Sequence, residues 1–121
     1  MDNRVYFSID KWNRKVWQNK KREYHRLDGP AVEHPNGHKE WWEYGNLHRL
    51  SGPAIEYADG GKKWYQNGLL HRLDGPAIIY NDGVKQWYKN GRIFESKDKF
   101  FESLMEEQKL SALMSIDFLL S

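Results

Sequence analysis

Three times along the chain the same frame returns at an interval of 23 residues. His25-Arg26, His48-Arg49 and His71-Arg72 open it, followed by Gly29-Pro30-Ala31, Gly52-Pro53-Ala54 and Gly75-Pro76-Ala77. Gly37, Gly60 and Gly83 keep the interval, as do Trp41, Trp64 and Trp87, each followed by a second aromatic (Trp42, Tyr65, Tyr88). A glycine ends each unit (Gly45, Gly68, Gly91). A repeat of this length is one supersecondary unit per copy, and copies must stack because none can bury an apolar face alone. An eroded copy comes first: "KVWQNKKREYHR" matches "KKWYQNGLLHR", but Trp17 precedes His25 by eight residues where its equivalents precede by seven, and no glycine closes it. A terminal unit has no outer neighbour and must tolerate water, which favours such divergence.

Within a unit, Ala77-Ile78-Ile79-Tyr80 and Val84-Lys85-Gln86-Trp87-Tyr88 flank Asn81-Asp82-Gly83. Strand-forming residues around an Asp-Gly or Asn-Gly pair predict a β-hairpin. Pairing about Asp82-Gly83 sets Tyr80 opposite Lys85 and Ile78 opposite Trp87, and opposed residues share a face. One face then gathers Val32, Ile55 and Ile78, the tryptophans Trp41, Trp64 and Trp87, and His34, Tyr57 and Tyr80; it reads as core. The other holds Glu33, Glu56 and Ile79, then Glu40, Lys63 and Gln86, then Trp42, Tyr65 and Tyr88, and reads as the face free to vary. Gly68–Pro76 is a connector, with Leu27, Leu50 and Leu73 plugging the sheet's end. The prolines, lacking an N–H, suit strand beginnings.

After Gly91 the period stops. Apolar residues at 100, 101, 104, 105, 110, 112, 113 and 116 have helical spacing, predicting a helix near 97–109 and a second to about 119, with Ser96 as cap and Asp98 favourable in the first turn. The expected fold is mainly β: an elongated antiparallel β-hairpin repeat sheet, a solenoid over residues 1–95 with its degenerate copy at 1–26, and a C-terminal helical cap over 96–121. The helix folds over the last hairpin or offers its apolar face to another chain, a homo-oligomer included.

Composition narrows the function. There is no cysteine, so disulfides and thiolate metal sites are excluded, and a reducing cytoplasm is the expected compartment. The opening "MDNRVYFSIDKWNRK" lacks a signal-peptide core, and no apolar run approaches the roughly 20 residues of a membrane span. The net charge of +2 is uneven: +5 over residues 1–26, −1 over 27–91 and −2 over 92–121. Lys20, Lys21, Arg22 and Arg26 therefore form the basic end, a contact for nucleic acid or an acidic partner.

The stretch "WYQNGLLHRLDGPAIIYNDGVKQW" resembles the MORN repeat (membrane occupation and recognition nexus), over roughly residues 12–92. The family also uses a 23-residue hairpin unit with an aromatic, N-G-x-x-H and a later x-D-G turn. It differs in placing Gly directly after His and again three residues beyond that His; here Arg follows His, and Gly-Pro-Ala comes four residues on. This H-R-x-D-G-P-A variant is similar to repeats of small proteins of phages and other large DNA viruses. The resemblance implies a scaffold that binds proteins, and the viral likeness implies an accessory protein acting on a host component, such as an inhibitor of host defence.

The repeated histidines argue against chemistry. Successive units lie two strands, about 9–10 Å, apart, whereas ligands of one zinc sit about 2 Å from it. His25, His48 and His71 are therefore expected to be structural, with each Arg packed on a neighbouring Trp and Asp28 or Asp74 either hydrogen-bonding the connector or pairing with Arg26 or Arg72. His34 and His38 flank a turn in one copy only, and no metal or cofactor is expected. No phosphate loop, G-x-S-x-G or H-E-x-x-H occurs, so no catalytic residue is assigned and the reading is non-enzymatic. The expected partner surface has Trp42, Tyr65 and Tyr88 as anchors, with Glu33, Glu56, Glu40 and Lys63 for selectivity. A host protein is the expected partner. The alternative is a single-stranded nucleic acid or sequestered nucleotide stacked on the aromatic row. An acidic terminal helix (Glu102, Glu106, Glu107) argues against a membrane surface.

Overall fold

The computed structural model describes residues 4–120, with side chains as far as residue 116. The first three residues and the last of the expected spans 1–95 and 96–121 lie outside the described residues. The chain is mainly β: an open, nine-stranded antiparallel sheet of hairpins followed by one helix. In spatial order the sheet runs β1 (Tyr6–Ile9), β2 (Lys15–Gln18), β3 (Val32–Glu33), β4 (Lys39–Glu40), β7 (Ile55–Glu56), β8 (Lys62–Lys63), β11 (Ile78–Ile79), β12 (Lys85–Lys89) and β13 (Arg92–Phe94). Two further pairs stand beside it, β5 (Trp42–Glu43) with β6 (Asn46–Leu47) and β9 (Tyr65–Gln66) with β10 (Leu69–Leu70).

Each unit thus contains two hairpins, where the sequence suggested one and a connector. The first turns through three residues. The Tyr80 amide donates to the Val84 carbonyl (2.9 Å) and the Gly83 amide donates back to the Tyr80 carbonyl (2.9 Å), leaving Asn81, Asp82 and Gly83 as the loop. Gly83 takes φ +90, a conformation a Cβ disfavours. The second turns through two residues with positive φ, Tyr44-Gly45, Asn67-Gly68 and Asn90-Gly91, the signature of a type I′ turn. In the eroded copy this loop gains a residue: Asn19 bonds Glu23 and Arg22 bonds Asn19, with Arg22 at φ 64 where no glycine is present. That insertion accounts for the eight-residue spacing from Trp17 to His25.

The three-residue loop also corrects the register. Ile78 lies opposite Gln86 and Ile79 opposite Lys85; Trp87 falls opposite Ala77. A one-residue change in pairing moves every side chain to the other face. Val16, Val32, Ile55 and Ile78 therefore share their face with Glu40, Lys63 and Gln86. Trp17, Trp41, Trp64 and Trp87 share the opposite face with Ala31, Ala54 and Ala77, and with Glu33, Glu56 and Ile79. The loop's own chemistry explains the count: Oδ1 of Asp82 accepts the Val84 amide (3.0 Å), and Asp59 and Asn36 do the same for Gly61 and His38, closing the turn over one glycine.

The core is correspondingly thin. Val16, Val32, Ile55 and Ile78 are buried on one face and the three alanines are fully buried on the other. The tryptophans are half-buried, and Leu27, Leu50 and Leu73 are exposed rather than plugging an end. α1 runs unbroken from Lys97 to Leu120, a single helix where two were expected. Ser96 caps it by accepting the Lys99 amide (3.2 Å). Its first turns pack on β12 and β13: Phe100 is fully buried with its ring 5.4 Å from that of Phe94, and Lys89 reaches Ser103 (3.3 Å) and Glu107.

Candidate functional site

The repeated His-Arg-x-x-Gly-Pro-Ala segment assembles one structural joint per unit. The guanidinium of Arg26 lies 3.9 Å from the Trp17 ring centroid, Arg49 3.8 Å from Trp41 and Arg72 3.9 Å from Trp64. Each arginine donates to the proline carbonyl four residues on, at 3.1, 3.0 and 3.0 Å. Asp28 and Asp74 pair with Arg26 and Arg72 at 3.0 and 2.9 Å, the second of the two roles the sequence left open. In the copy where Ser51 replaces the aspartate, Glu56 takes over at 3.2 Å. The alanine is small because it sits between two tryptophans across the sheet, Ala54 facing Trp41 and Trp64: the backbone amide of Trp41 donates to the Ala54 carbonyl at 2.7 Å, and that of Trp64 to the Ala77 carbonyl at 2.8 Å.

The histidines pin the second hairpins. Nδ1 of His25, His48 and His71 accepts the amides of Tyr44, Asn67 and Asn90, each at 3.0 Å. An accepting Nδ1 carries no proton, so each imidazole is neutral in this arrangement. Burial, with Lys89 close by, pushes the His71 pKa below the ordinary histidine value. Among the described residues no buried side-chain nitrogen or oxygen lacks a partner. Stacking on tryptophan and bonding to the proline carbonyl engage each arginine of the joint within its own fold.

The valine–isoleucine face is different, since its frame is constant and its polar members are not. Positions 40, 63 and 86 carry Glu, Lys and Gln in equivalent places. Oε1 of Glu40 accepts the Trp42 indole N–H at 2.8 Å, while Oε2 lies 2.9 Å from Nε2 of His34 and 3.3 Å from Nε2 of His38. The His38 ring stands 4.6 Å from Tyr57, edge on. Burial and the neighbouring His34 lower the His38 pKa against the pull of Glu40 and Asp59. Lys63 lies over Tyr57, its ammonium 5.5 Å from the ring centroid. Burial works to lower its pKa, but Tyr57, Tyr65 and Tyr80 leave it above the ordinary lysine value. Burial raises that of the Tyr65 phenol. In the third unit Tyr80 donates to Gln86 at 3.3 Å.

The expected partner-contact residues therefore divide. Trp42, Tyr65, Glu40 and Lys63 form one continuous neighbourhood, and Tyr88 holds the equivalent place beside Gln86. Glu33 and Glu56 lie on the other face, in a cross-strand row of Lys15, Glu33, Lys39, Glu56, Lys62, Ile79 and Lys85. The basic residues Lys20, Lys21 and Arg22 are exposed on the first copy's turn, and Arg26 is held on Trp17. Sequence reasoning left His34, His38 and Glu40 apart. With the true register, their i, i+4, i+6 spacing around a three-residue loop puts all three on one face.

Two open clefts of about 470 and 490 Å³ lie between successive joints, the larger lined by Arg26, Trp41, Glu43, His48 and Arg49. Their arginines already have aromatic and acidic partners. Besides the connector leucines, apolar side chains are exposed at both ends: Tyr6, Phe7, Ile9 and Trp12 on the first hairpin, and Met105, Leu110, Leu113, Met114 and Ile116 on the distal helix. No helix among the described residues is long and apolar enough to cross a membrane. No family model matches the chain, and neither a curated protein nor a solved structure is found to be similar to it.

Proposed function

We propose that this chain is a non-enzymatic binding protein of MORN-like, solenoid character that presents its valine–isoleucine face to a protein partner. One observation carries the reading: on that face a constant frame of Val32, Ile55 and Ile78 supports a row whose charge changes from Glu40 to Lys63 to Gln86, flanked by the rings of Trp42, Tyr65 and Tyr88. Packing requires the frame, whereas nothing in packing requires the changes. Aromatic rings beside one charge of each sign are what a selective protein interface uses. The likeness to small viral proteins points to a host protein, and to inhibition of a host defence component, as the partner and the effect. The exposed distal helix would serve the same contact or join two copies. Nucleic acid fits less well: the cross-strand lysines alternate with Glu33 and Glu56, and Arg26, Arg49 and Arg72 are already stacked and bonded.

The test is capture from lysate of the cell in which the protein acts, comparing wild type with Tyr65→Ala, Lys63→Glu and Trp64→Ala. The expected result is one protein retained by wild type and lost by Tyr65→Ala and Lys63→Glu at unchanged urea midpoints. Trp64→Ala should instead lose about 3 kcal/mol of stability, the low end for a large ring. Retention that collapses between about 50 and 200 mM salt, with nucleic acid in the eluate, would favour the nucleic-acid alternative.

A further inference from the structure

We infer that His34, His38 and Glu40 form a binding site for a transition-metal dication, zinc above all. The two histidines face each other across the loop Pro35-Asn36-Gly37, tied by the His34 amide bonding the His38 carbonyl at 2.8 Å. Glu40 follows on the same face of β4. One donor atom from each residue lies within 4.8 Å of the other two, and Oε2 of Glu40 is 2.9 and 3.3 Å from the imidazole nitrogens. Ligands about 2.0–2.2 Å from a tetrahedral zinc are separated by about 3.3–3.5 Å, so small rotations of the rings admit the ion.

The surroundings suit a ligand set. The Trp42 indole holds Oε1 of Glu40 at 2.8 Å and leaves Oε2 turned to the histidines, the outer-shell orientation that metal-binding carboxylates use. The three side chains are 16–25 % exposed, so a fourth coordination position opens to water or to a donor from a bound molecule. Two imidazoles and one carboxylate favour zinc or cobalt over magnesium or calcium, which take oxygen ligands.

The other units supply the comparison. Tyr57, Gly61 and Lys63 stand at the equivalent places in the second unit, and Tyr80, Val84 and Gln86 in the third. Both close the same loop in the same register, so folding does not require the trio.

Titration calorimetry with zinc on chelator-treated full-length protein tests the site, with two variants alongside: His34→Tyr/His38→Gly, which borrows residues the second unit already tolerates, and Glu40→Gln. The expected result is one zinc per chain, no response to magnesium, and affinity at least ten-fold weaker in both variants at wild-type circular dichroism. Trp42→Phe should weaken zinc about ten-fold through the carboxylate it orients. Cobalt in place of zinc should show visible absorption characteristic of nitrogen ligation in wild type alone. No zinc uptake by wild type, or equal uptake by wild type and both variants, would overturn the inference.

Discussion

A Cβ placed on Gly75 would stand 2.8 Å from Cζ of Arg72, and one on Gly29 2.9 Å from Cζ of Arg26. These glycines are not the left-handed ones of the turns. They are bare so that a guanidinium can lie flat between the connector and a tryptophan. Gly75→Ala should push Arg72 off Trp64 and cost about 1 kcal/mol, the scale of a partly exposed cation–π contact. In an Arg72→Ala background the same glycine change should cost almost nothing. Urea denaturation of the four proteins reads this as a double-mutant cycle, and additive costs would mean that the guanidinium is not what the glycine accommodates. The Arg-on-Trp pairing and the Asp28 and Asp74 bridges were legible because their residues recur together at fixed spacing. The role of Nδ1 in His25, His48 and His71 was not, because its partner amide lies 19 residues away in the next unit.

At the scale of the element, the last hairpin shows how His71 makes folding sensitive to acid. Nδ1 of His71 accepts the Asn90 amide only while neutral, and its folded pKa lies below the ordinary value. A depressed histidine pKa means that the unfolded chain binds more protons as pH falls below about 6.5. This stabilisation is therefore complete above about pH 6.5, falls away between there and the folded pKa, and then levels off. Stability from pH 7.5 down to 5 should drop less steeply in His71→Gln than in wild type, by up to about 1.4 kcal/mol per pH unit, read from urea midpoints. Equal slopes would exclude His71 as a contributor. These second hairpins had a visible signal, Asn67-Gly68 and Asn90-Gly91 between strand residues, masked because each glycine also marks the end of the repeat. The first hairpins were visible, but their loop length was not: Asp82 closing on the Val84 amide shortens the loop by one residue and exchanges the faces.

Across the whole molecule, stability and apolar exposure are set apart along α1. Phe100 is fully buried beside Phe94, whereas Leu110 and Leu113, further along the same helix, are 59 and 60 % exposed. Phe100→Ala should cost about 3–5 kcal/mol. Leu110→Glu with Leu113→Glu should change stability by less than about 0.5 kcal/mol, as exposed substitutions do. Chemical denaturation checks both, and a large loss in the double glutamate variant would mean that the distal helix is packed in solution.

The period, the turn glycines, the helix start at Ser96 and the stacking of arginine on tryptophan all follow from residues near one another in the chain, or repeated at one interval, and local geometry suffices to derive them. Which side of the sheet each row occupies depends on whether a loop holds three residues or four. That parity is decided by a side-chain hydrogen bond and by how every neighbouring strand then pairs. Only the assembled sheet places the tryptophans with the alanines, leaves Glu33 and Glu56 behind the aromatic row, and brings His34 and His38 onto the carboxylate of Glu40.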